Sequence, residues 1–155
     1  MILRALKDNE TEILKEFLYE AIYLPEGAVP PDRSIVERPD LSVYYEDFGT
    51  RRGDHCIVAE EEGRIVGAVW TRIMRDYGHI DDETPSFAMS LYREYRGLGI
   101  GTQLMQAMLK LLKQQGFARA SLSVQKDNYA VRLYKKTGFR TVAENAEEYI
   151  MVCEL

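Results

Sequence analysis

Three glycines at alternate positions, Gly97, Gly99 and Gly101, separate two segments of different character. Residues 85–92 before them are apolar and typical of a buried strand, and residues 102–115 after them repeat apolar side chains at helical spacing. A strand that passes into a helix through glycines exposes backbone N–H groups at the positive end of the helix dipole. The segment therefore predicts an anion site in a fold that combines strands with helices.

Arg96 stands directly before the glycines, and its planar guanidinium suits phosphate oxygens. Two common phosphate loops are excluded by their spacing. A P-loop needs a Lys after its last glycine, where this chain has Thr102, and a dinucleotide-binding loop needs its third glycine at that same position. What remains is a pyrophosphate site of another kind or a tight turn whose glycines serve packing alone.

The rest of the chain alternates strand and helix patterns without a repeat or a linker. A hairpin is predicted at Glu61-Glu62-Gly63, and residues 75–84 are predicted to form a loop. We expect residues 1–155 to form a single domain with an α/β fold built on a mixed sheet (α+β). The expected strands are 2–6, 56–60, 65–74, 85–92, 120–124, 139–143 and 149–153, and the expected helices begin at Asp8 or Asn9, at Ser34, at Thr102 and at Asp127 or Asn128.

Composition excludes several classes of protein. Lys and Arg number 20 against 25 Asp and Glu, a net charge of −5, so a nucleic acid is not expected as a partner. The two cysteines, Cys56 and Cys153, lie in apolar runs and are expected to be buried and reduced, and no metal-ligand spacing occurs. No apolar run is long enough for a membrane span and the first residues do not form a signal core, so a cytoplasmic location is expected.

Two blocks of residues resemble the GCN5-related N-acetyltransferase (GNAT) superfamily. The first is Tyr95-Arg96-Gly97-Leu98-Gly99-Ile100-Gly101, which is similar to the family's Arg/Gln-x-x-Gly-x-Gly/Ala signature. The second comprises Asn128, Ala130, Leu133-Tyr134, Lys136 and Gly138-Phe139. The resemblance is specific over residues 86–140, and it departs from the family at Arg93, where a Pro is common.

The resemblance implies the acyl-CoA N-acyltransferase fold, in which two central strands splay apart around the cofactor. Here those strands would be 85–92 and 120–124. It also implies acetyl-CoA as cosubstrate, no metal, and transfer of the acetyl group to a primary amine of an unidentified small molecule or peptide. The cofactor-binding residues would be Met89, Ser90, Leu91, Arg96, Gly97, Leu98, Gly99, Ile100, Gly101, Thr102, Asn128 and Tyr134.

Acetyl transfer to an amine needs a hydrogen-bond donor for the carbonyl oxygen and a proton for the departing thiolate. The backbone N–H near Leu91 is the expected donor, and Tyr134 is the expected general acid. The sequence does not identify the general base; the candidates are Glu20, Glu26, Asp76, His79, Asp82 and Glu83. No base is needed if water relays the proton. The proline-rich segment 24–33, with Tyr19 and Tyr23, either forms the acceptor wall or is a plain loop.

Two other functions stay open at this point: an acyl-CoA-binding module without turnover, and a purely structural domain. Turnover with an amine separates the first from an enzyme, and a thermal shift with acetyl-CoA separates the second. The C-terminal strands could also pair in a homodimer.

Overall fold

A seven-stranded mixed sheet organises the chain, in a computed structural model that describes residues 1–76 and 78–155. The strand order is β1-β2-β3-β4-β5-β7-β6. All neighbouring strands are antiparallel except β4 and β5, which run parallel. The strands are β1 (Ile2–Ala5), β2 (His55–Glu61), β3 (Arg64–Arg72), β4 (Ser86–Leu91), β5 (Arg119–Gln125), β6 (Arg140–Glu144) and β7 (Glu148–Glu154).

Four α-helices accompany the sheet: α1 (Ile13–Ala21), α2 (Pro39–Ser42), α3 (Ile100–Gln114) and α4 (Ala130–Lys136). The predicted start of α4 agrees with the structure, where the Asn128 Oδ1 accepts a hydrogen bond from the Ala130 N–H at 2.9 Å. A short 3₁₀ turn, Asp8–Glu10, occupies the position where the first helix was expected to begin. The predicted strands agree with the structure to within one to two residues at each end.

Each face of the sheet carries its own core. On one face α3 buries Leu104, Met105, Met108 and Leu112 against the sheet. On the other face α1 packs Leu14, Phe17 and Leu18 against Val58, Ala68 and Trp70. Side chains that alternate along a strand point to opposite faces, so β3 contributes to both cores and is almost wholly buried.

The hairpin between β2 and β3 is confirmed, with a two-residue turn at Glu62 and Gly63. Both residues have positive φ, 49° and 81°, as the turn type that matches strand twist requires. The described residues of the segment 75–84 form turns and bends, as expected for a loop, and Tyr77 lies outside the described residues.

A helix was expected from Ser34 towards Phe48, with Pro39 as a point of interruption; the break at Pro39 is confirmed, and the helix on either side of it is wrong. The segment forms a 3₁₀ turn at Arg33–Glu37, the one-turn helix α2, and further turns. Pro39 forces Arg38 into an extended conformation with ψ 143°, which ends the first turn. Beyond α2, backbone carbonyls accept hydrogen bonds from distant side chains: the Tyr44 carbonyl from Trp70 Nε1 at 3.2 Å, and the Val43 carbonyl from Arg72 at 3.0 Å.

A buried ion pair holds that irregular segment against the sheet. Arg72 and Asp54 are both fully buried, with 2.9 Å between the guanidinium and the carboxylate. Arg72 also donates to the Glu46 carbonyl. The remaining donors of the guanidinium are thus satisfied by backbone acceptors, which is the condition for burying a charge.

The parallel strands β4 and β5 meet at one place and then separate. Their single register pair is Ser86 with Ser121, and the Ser121 N–H donates to the Pro85 carbonyl at 2.9 Å. Beyond this pair the two strands diverge toward their C-terminal ends, as the resemblance implied. The sheet therefore contains a wedge-shaped gap in its middle.

The state of the cysteines and the search for membrane-spanning helices can be reported directly from the structure. Cys56 and Cys153 are free and buried, as expected. Among the described helices none has the length and apolar character needed to cross a bilayer.

Candidate active site

The wedge between β4 and β5 opens into a cavity of about 800 Å³. Its walls come from the end of α1, from β4, from the glycine segment, from the end of β5 and from α4. Most of the predicted site residues line it together: Met89, Ser90, Leu91, Arg96, Gly97, Gly99, Gly101, Thr102, Asn128 and Tyr134. Leu98 and Ile100 do not, because the Leu98 side chain is exposed and that of Ile100 is buried in the core.

The backbone of β4 presents free polar groups to the gap. Tyr92 donates its N–H to Val66 on the β3 side, so alternation along the strand turns the backbone groups of Met89 and Leu91 toward β5. Since β5 pairs with β4 only at Ser86, these groups have no strand partner. An extended ligand that carries amides can pair with them as an added strand.

The N–H groups of the glycine segment have no hydrogen-bond acceptor among the described residues at the start of α3. Gly97 and Gly99 have φ of 76° and 85°, a left-handed conformation that side chains disfavour, and no atom lies within 4 Å of the position a Cβ would take. Gln103 is the first residue after them with a backbone acceptor, the Gly99 carbonyl at 3.2 Å. Within the described chain, the N–H groups of residues 97–102 donate no hydrogen bond, so six donors meet at the positive end of a 15-residue helix.

The Arg96 side chain forms hydrogen bonds within the protein. Its Nε donates to the Leu91 carbonyl at 3.0 Å, and one terminal nitrogen lies 3.3 Å from both the carbonyl and the carboxylate of Glu20. The guanidinium thus ties the glycine segment to β4 and to α1. Arg93, at the position where the family resemblance departs, is exposed, also lines the cavity, and forms no ion pair with another described residue.

The side chains of Ser90 and Asn128 form hydrogen bonds with backbone groups of the protein. The Ser90 hydroxyl donates to the Phe17 carbonyl at 2.6 Å and fixes α1 on β4. The Asn128 oxygen caps α4, as described above, which leaves its NH₂ group to face the cavity that the residue lines. A donor at this position suits a carbonyl of an amide-bearing ligand.

Tyr134 lies half-buried on α4, with its ring 6.1 Å from that of Phe139. Burial, with a smaller contribution from Tyr129, raises the pKa of Tyr134 to about 12, so its hydroxyl keeps the proton at neutral pH. No other residue of the described chain hydrogen-bonds this hydroxyl, and Tyr134 lines the cavity. The hydroxyl is therefore a proton donor that is not engaged by the protein.

The proline-rich segment contributes part of the wall. Tyr19, Tyr23, Leu24 and Pro30 line the cavity, and the Tyr23 hydroxyl reaches across to the Asp127 carbonyl at 3.4 Å. These four residues thus form part of the cavity wall.

The six candidate bases differ in their exposure, in their partners and in whether they line the cavity. Glu20 lines the cavity but is paired with Arg96. Glu26, Asp82 and Glu83 are exposed and lie outside the lining, and His79 pairs with Asp82 at 3.1 Å. Asp76 also lies outside the lining, and Ser86 and Tyr44 donate hydrogen bonds to its two carboxylate oxygens at 3.1 Å each. Burial raises the pKa of Asp76, and these hydrogen bonds oppose that change.

Tyr44 and Glu148 are among the cavity residues that sequence reasoning missed. Tyr44 donates to Asp76 and lines the cavity from the segment after α2. Glu148 lines it from the start of β7, where Gln125 donates to its carboxylate at 3.0 Å. The register of β5 with β7, which no local pattern reveals, brings Glu148 to this wall.

Comparison with known proteins decides the family. The model of the acetyltransferase (GNAT) family matches residues 17–139. The chain belongs to this family. As a GNAT protein it is an acetyl-CoA-dependent N-acetyltransferase, and the described residues contain no cluster that could hold a metal ion.

Individual GNAT relatives resemble the chain over different extents. It is 32% identical over 114 residues to an N-alpha-acetyltransferase of Sulfurisphaera tokodaii, covering 63% of this chain and 68% of that protein. It is 36% identical over 84 residues to a probable N-acetyltransferase camello of Xenopus tropicalis, covering 54% of this chain but 37% of that protein. A Salmonella typhimurium structure solved with its cofactor acetyl-CoA superposes with a TM-score of 0.74 at 18% identity, over 100% of this chain and 94% of the other.

Proposed function

We propose that residues 1–155 form one N-acetyltransferase domain that moves an acetyl group from acetyl-CoA directly to a primary amine. The observation that carries the proposal is the wedge between β4 and β5, where the unpaired backbone of Met89 and Leu91 meets a cavity that continues to the free amides of α3. Acetyl-CoA fits this arrangement, because the amides of its long arm suit the unpaired strand backbone and its pyrophosphate suits the free N–H groups at the start of α3.

The cofactor is proposed to bind along that path. Its amide arm pairs with Met89 and Leu91 and passes under the Asn128 NH₂ group, while its pyrophosphate accepts hydrogen bonds from the N–H groups of residues 97–102. Ser90 and Arg96 are proposed to support the cofactor site indirectly, because their side chains hold α1 and β4 in position. Arg93 is the cation of this wall that is free to approach a phosphate.

The chemistry then needs few groups, since a thioester is already activated and positioning supplies much of the rate. The Leu91 N–H is the proposed donor to the carbonyl oxygen, where negative charge develops. Tyr134 is the proposed acid that protonates the departing sulfur. Burial that disfavours the phenolate also disfavours a thiolate in the same cavity, so the proton transfer remains feasible.

The acceptor is proposed to enter from the end lined by Tyr19, Tyr23 and Tyr44. An α-amine of a peptide is one class supported by the N-alpha-acetyltransferase relative, and small amines fit the same chemistry. A cytoplasmic location is proposed from the two reduced, buried cysteines.

Two measurements test this function. Acetyl-CoA should raise the melting temperature, and NAD or ATP at the same concentration should raise it much less. Release of free thiol should then be followed with peptide α-amines, polyamines and alkylamines. Binding without thiol release for any amine would indicate an acyl-CoA-binding module, and absence of a thermal shift would contradict the cofactor site itself.

A further inference from the structure

Glu148 is a carboxylate inside the cavity that the cofactor proposal does not use. Gln125 donates to one of its oxygens at 3.0 Å, and no Lys, Arg or His of the described chain forms an ion pair with it. Its side chain is half-buried. Burial, helped by the negative charge of Glu147, raises the pKa of Glu148. A cavity carboxylate without a cationic partner is disposed to accept a cation or a proton from a ligand.

The strand registers place Glu148 level with the proposed reacting carbonyl. β4 and β5 touch at Ser86 and Ser121, and Gln125, which pairs with Glu148, lies four residues beyond Ser121. Leu91 lies five residues beyond Ser86 on the opposite wall. At about 3.3 Å per residue, both positions stand roughly 13–17 Å from the junction of the strands.

The alternation of side chains places Glu148 on the face of the sheet that carries Tyr44 and Asp76. Gln125 shares a face of β5 with Ser121, whose hydroxyl contacts Ser86 at 3.3 Å, and Ser86 in turn donates to Asp76. Residues directly opposite in register project to the same face, so Glu148 follows Gln125. This is the face on which Tyr44 and Asp76 lie, away from the core beneath α3.

The charged side chains of the cavity wall differ in their partners. Arg96 is paired with Glu20, whereas Glu148 forms no ion pair with a cation of the described residues. The negative charge of Glu148 also acts on Tyr44: burial, then Asp76 and Glu148, raise the pKa of its phenol. An ammonium group is attracted to such an uncompensated carboxylate, and an anionic acceptor is repelled.

We propose that Glu148 binds the ammonium group of a cationic acceptor amine and takes the proton that this group must lose before attack. The assignment rests on the acetyl transfer proposed above. The amine then attacks the thioester carbon, the carbon–sulfur bond breaks, and the sulfur receives the Tyr134 proton. The second proton of the attacking nitrogen returns to the Tyr134 phenolate, and Glu148 releases its proton to solvent, so the reaction yields amide, free CoA thiol and one proton.

The test compares amines that differ in protonation. Ethylamine and trialanine amide carry ammonium groups at neutral pH to different extents, with pKa near ~10 and ~8, whereas hydroxylamine is already neutral. Glu148→Gln should lower kcat/KM for ethylamine at least tenfold and for trialanine amide by less. With hydroxylamine, after subtraction of the uncatalysed rate, the loss should stay below threefold. The groups that face Glu148 are Gln125 from β5, Tyr44 from the segment after α2 and the adjacent Glu147, and all are retained in this variant.

The matched control is Glu147→Gln, which removes the exposed neighbouring carboxylate and should leave all three rates within twofold. Melting temperature and acetyl-CoA affinity are measured on each variant. Equal losses for all three amines would assign Glu148 a merely structural role and overturn the proposal, as would unchanged kcat/KM for ethylamine. Wild-type protein that binds acetyl-CoA but transfers to none of the amines would overturn the transfer itself, and this assignment with it.

Discussion

Replacement of Gly99 by alanine separates a turn-forming role of the glycines from a ligand-binding role. Gly99 has φ 85°, and a Cβ there would meet no protein atom within 4 Å. The cost to the free protein is therefore backbone strain alone, about 1–2 kcal/mol for a left-handed residue. For a chain of this size that lowers the melting temperature by roughly 2–8 °C.

The same methyl group would stand in the space proposed for the cofactor phosphates. A tenfold loss of acetyl-CoA affinity, about 1.4 kcal/mol, is the smallest effect we expect from displacing that contact. Gly101 provides the control, because its Cβ would lie 3.4 Å from the flexible ends of Leu133 and Met89, an ordinary contact. Gly101→Ala should keep or raise the stability, since alanine favours a helix by up to ~1 kcal/mol.

Thermal shift measures both effects in one experiment. At a ligand concentration of 100 Kd for wild type, acetyl-CoA should stabilise by about 2.7 kcal/mol, which corresponds to roughly 5–11 °C. Gly99→Ala at the same concentration should retain about half of that shift or less, and Gly101→Ala most of it. A Gly99→Ala protein that melts earlier but keeps the whole acetyl-CoA shift would refute the phosphate site and leave the glycines a turn-forming role.

The remaining predictions concern catalysis, packing and pH. Tyr134→Phe should lower kcat at least tenfold while acetyl-CoA affinity changes less than twofold; equal losses, or none, would contradict a proton donor. Asp54→Ala should destabilise by about 3–5 kcal/mol in urea unfolding, because it leaves Arg72 charged and fully buried; a loss under ~1 kcal/mol would show that water reaches the guanidinium. Burial lowers the pKa of His55, whose buried Nε2 has no hydrogen-bond partner among the described residues. The unfolded chain then binds that proton more tightly, so stability should fall as pH drops below about 6.5, and His55→Phe should remove this dependence; an unchanged slope would refute it.

Local chemistry made much of this fold predictable. The turn at Glu62-Gly63, the positive φ of Gly97 and Gly99, and the Asn128 cap each depend on a few neighbouring residues, and the structure shows all of them. The separation of β4 from β5 was available only through the family resemblance, since no pattern within either strand encodes it.

Three features that the sequence did not predict involve partners distant in sequence. Arg96 binds Glu20, 76 residues earlier, and its guanidinium is thus held by another part of the chain. The segment after Pro39 gives its carbonyls to side chains of β3 instead of to a helix, and the nearest of these pairs, Tyr44 with Trp70, is 26 residues apart. Glu148 reached the cavity through the pairing of β5 with β7, which a single sequence does not specify.

The parting of β4 from β5 has a consequence for selectivity among acyl carriers. A sheet ordinarily has two margins, but this one has two more in its interior, facing each other across a gap. Only a thin molecule with its own peptide-like groups can satisfy hydrogen-bonding groups on such an inner margin, because a folded partner cannot enter between strands of one chain. We therefore expect the enzyme to select among substrates by the carrier of the acyl group, and the space beside Glu148 and Tyr134 to limit the size of the acyl group that it accepts.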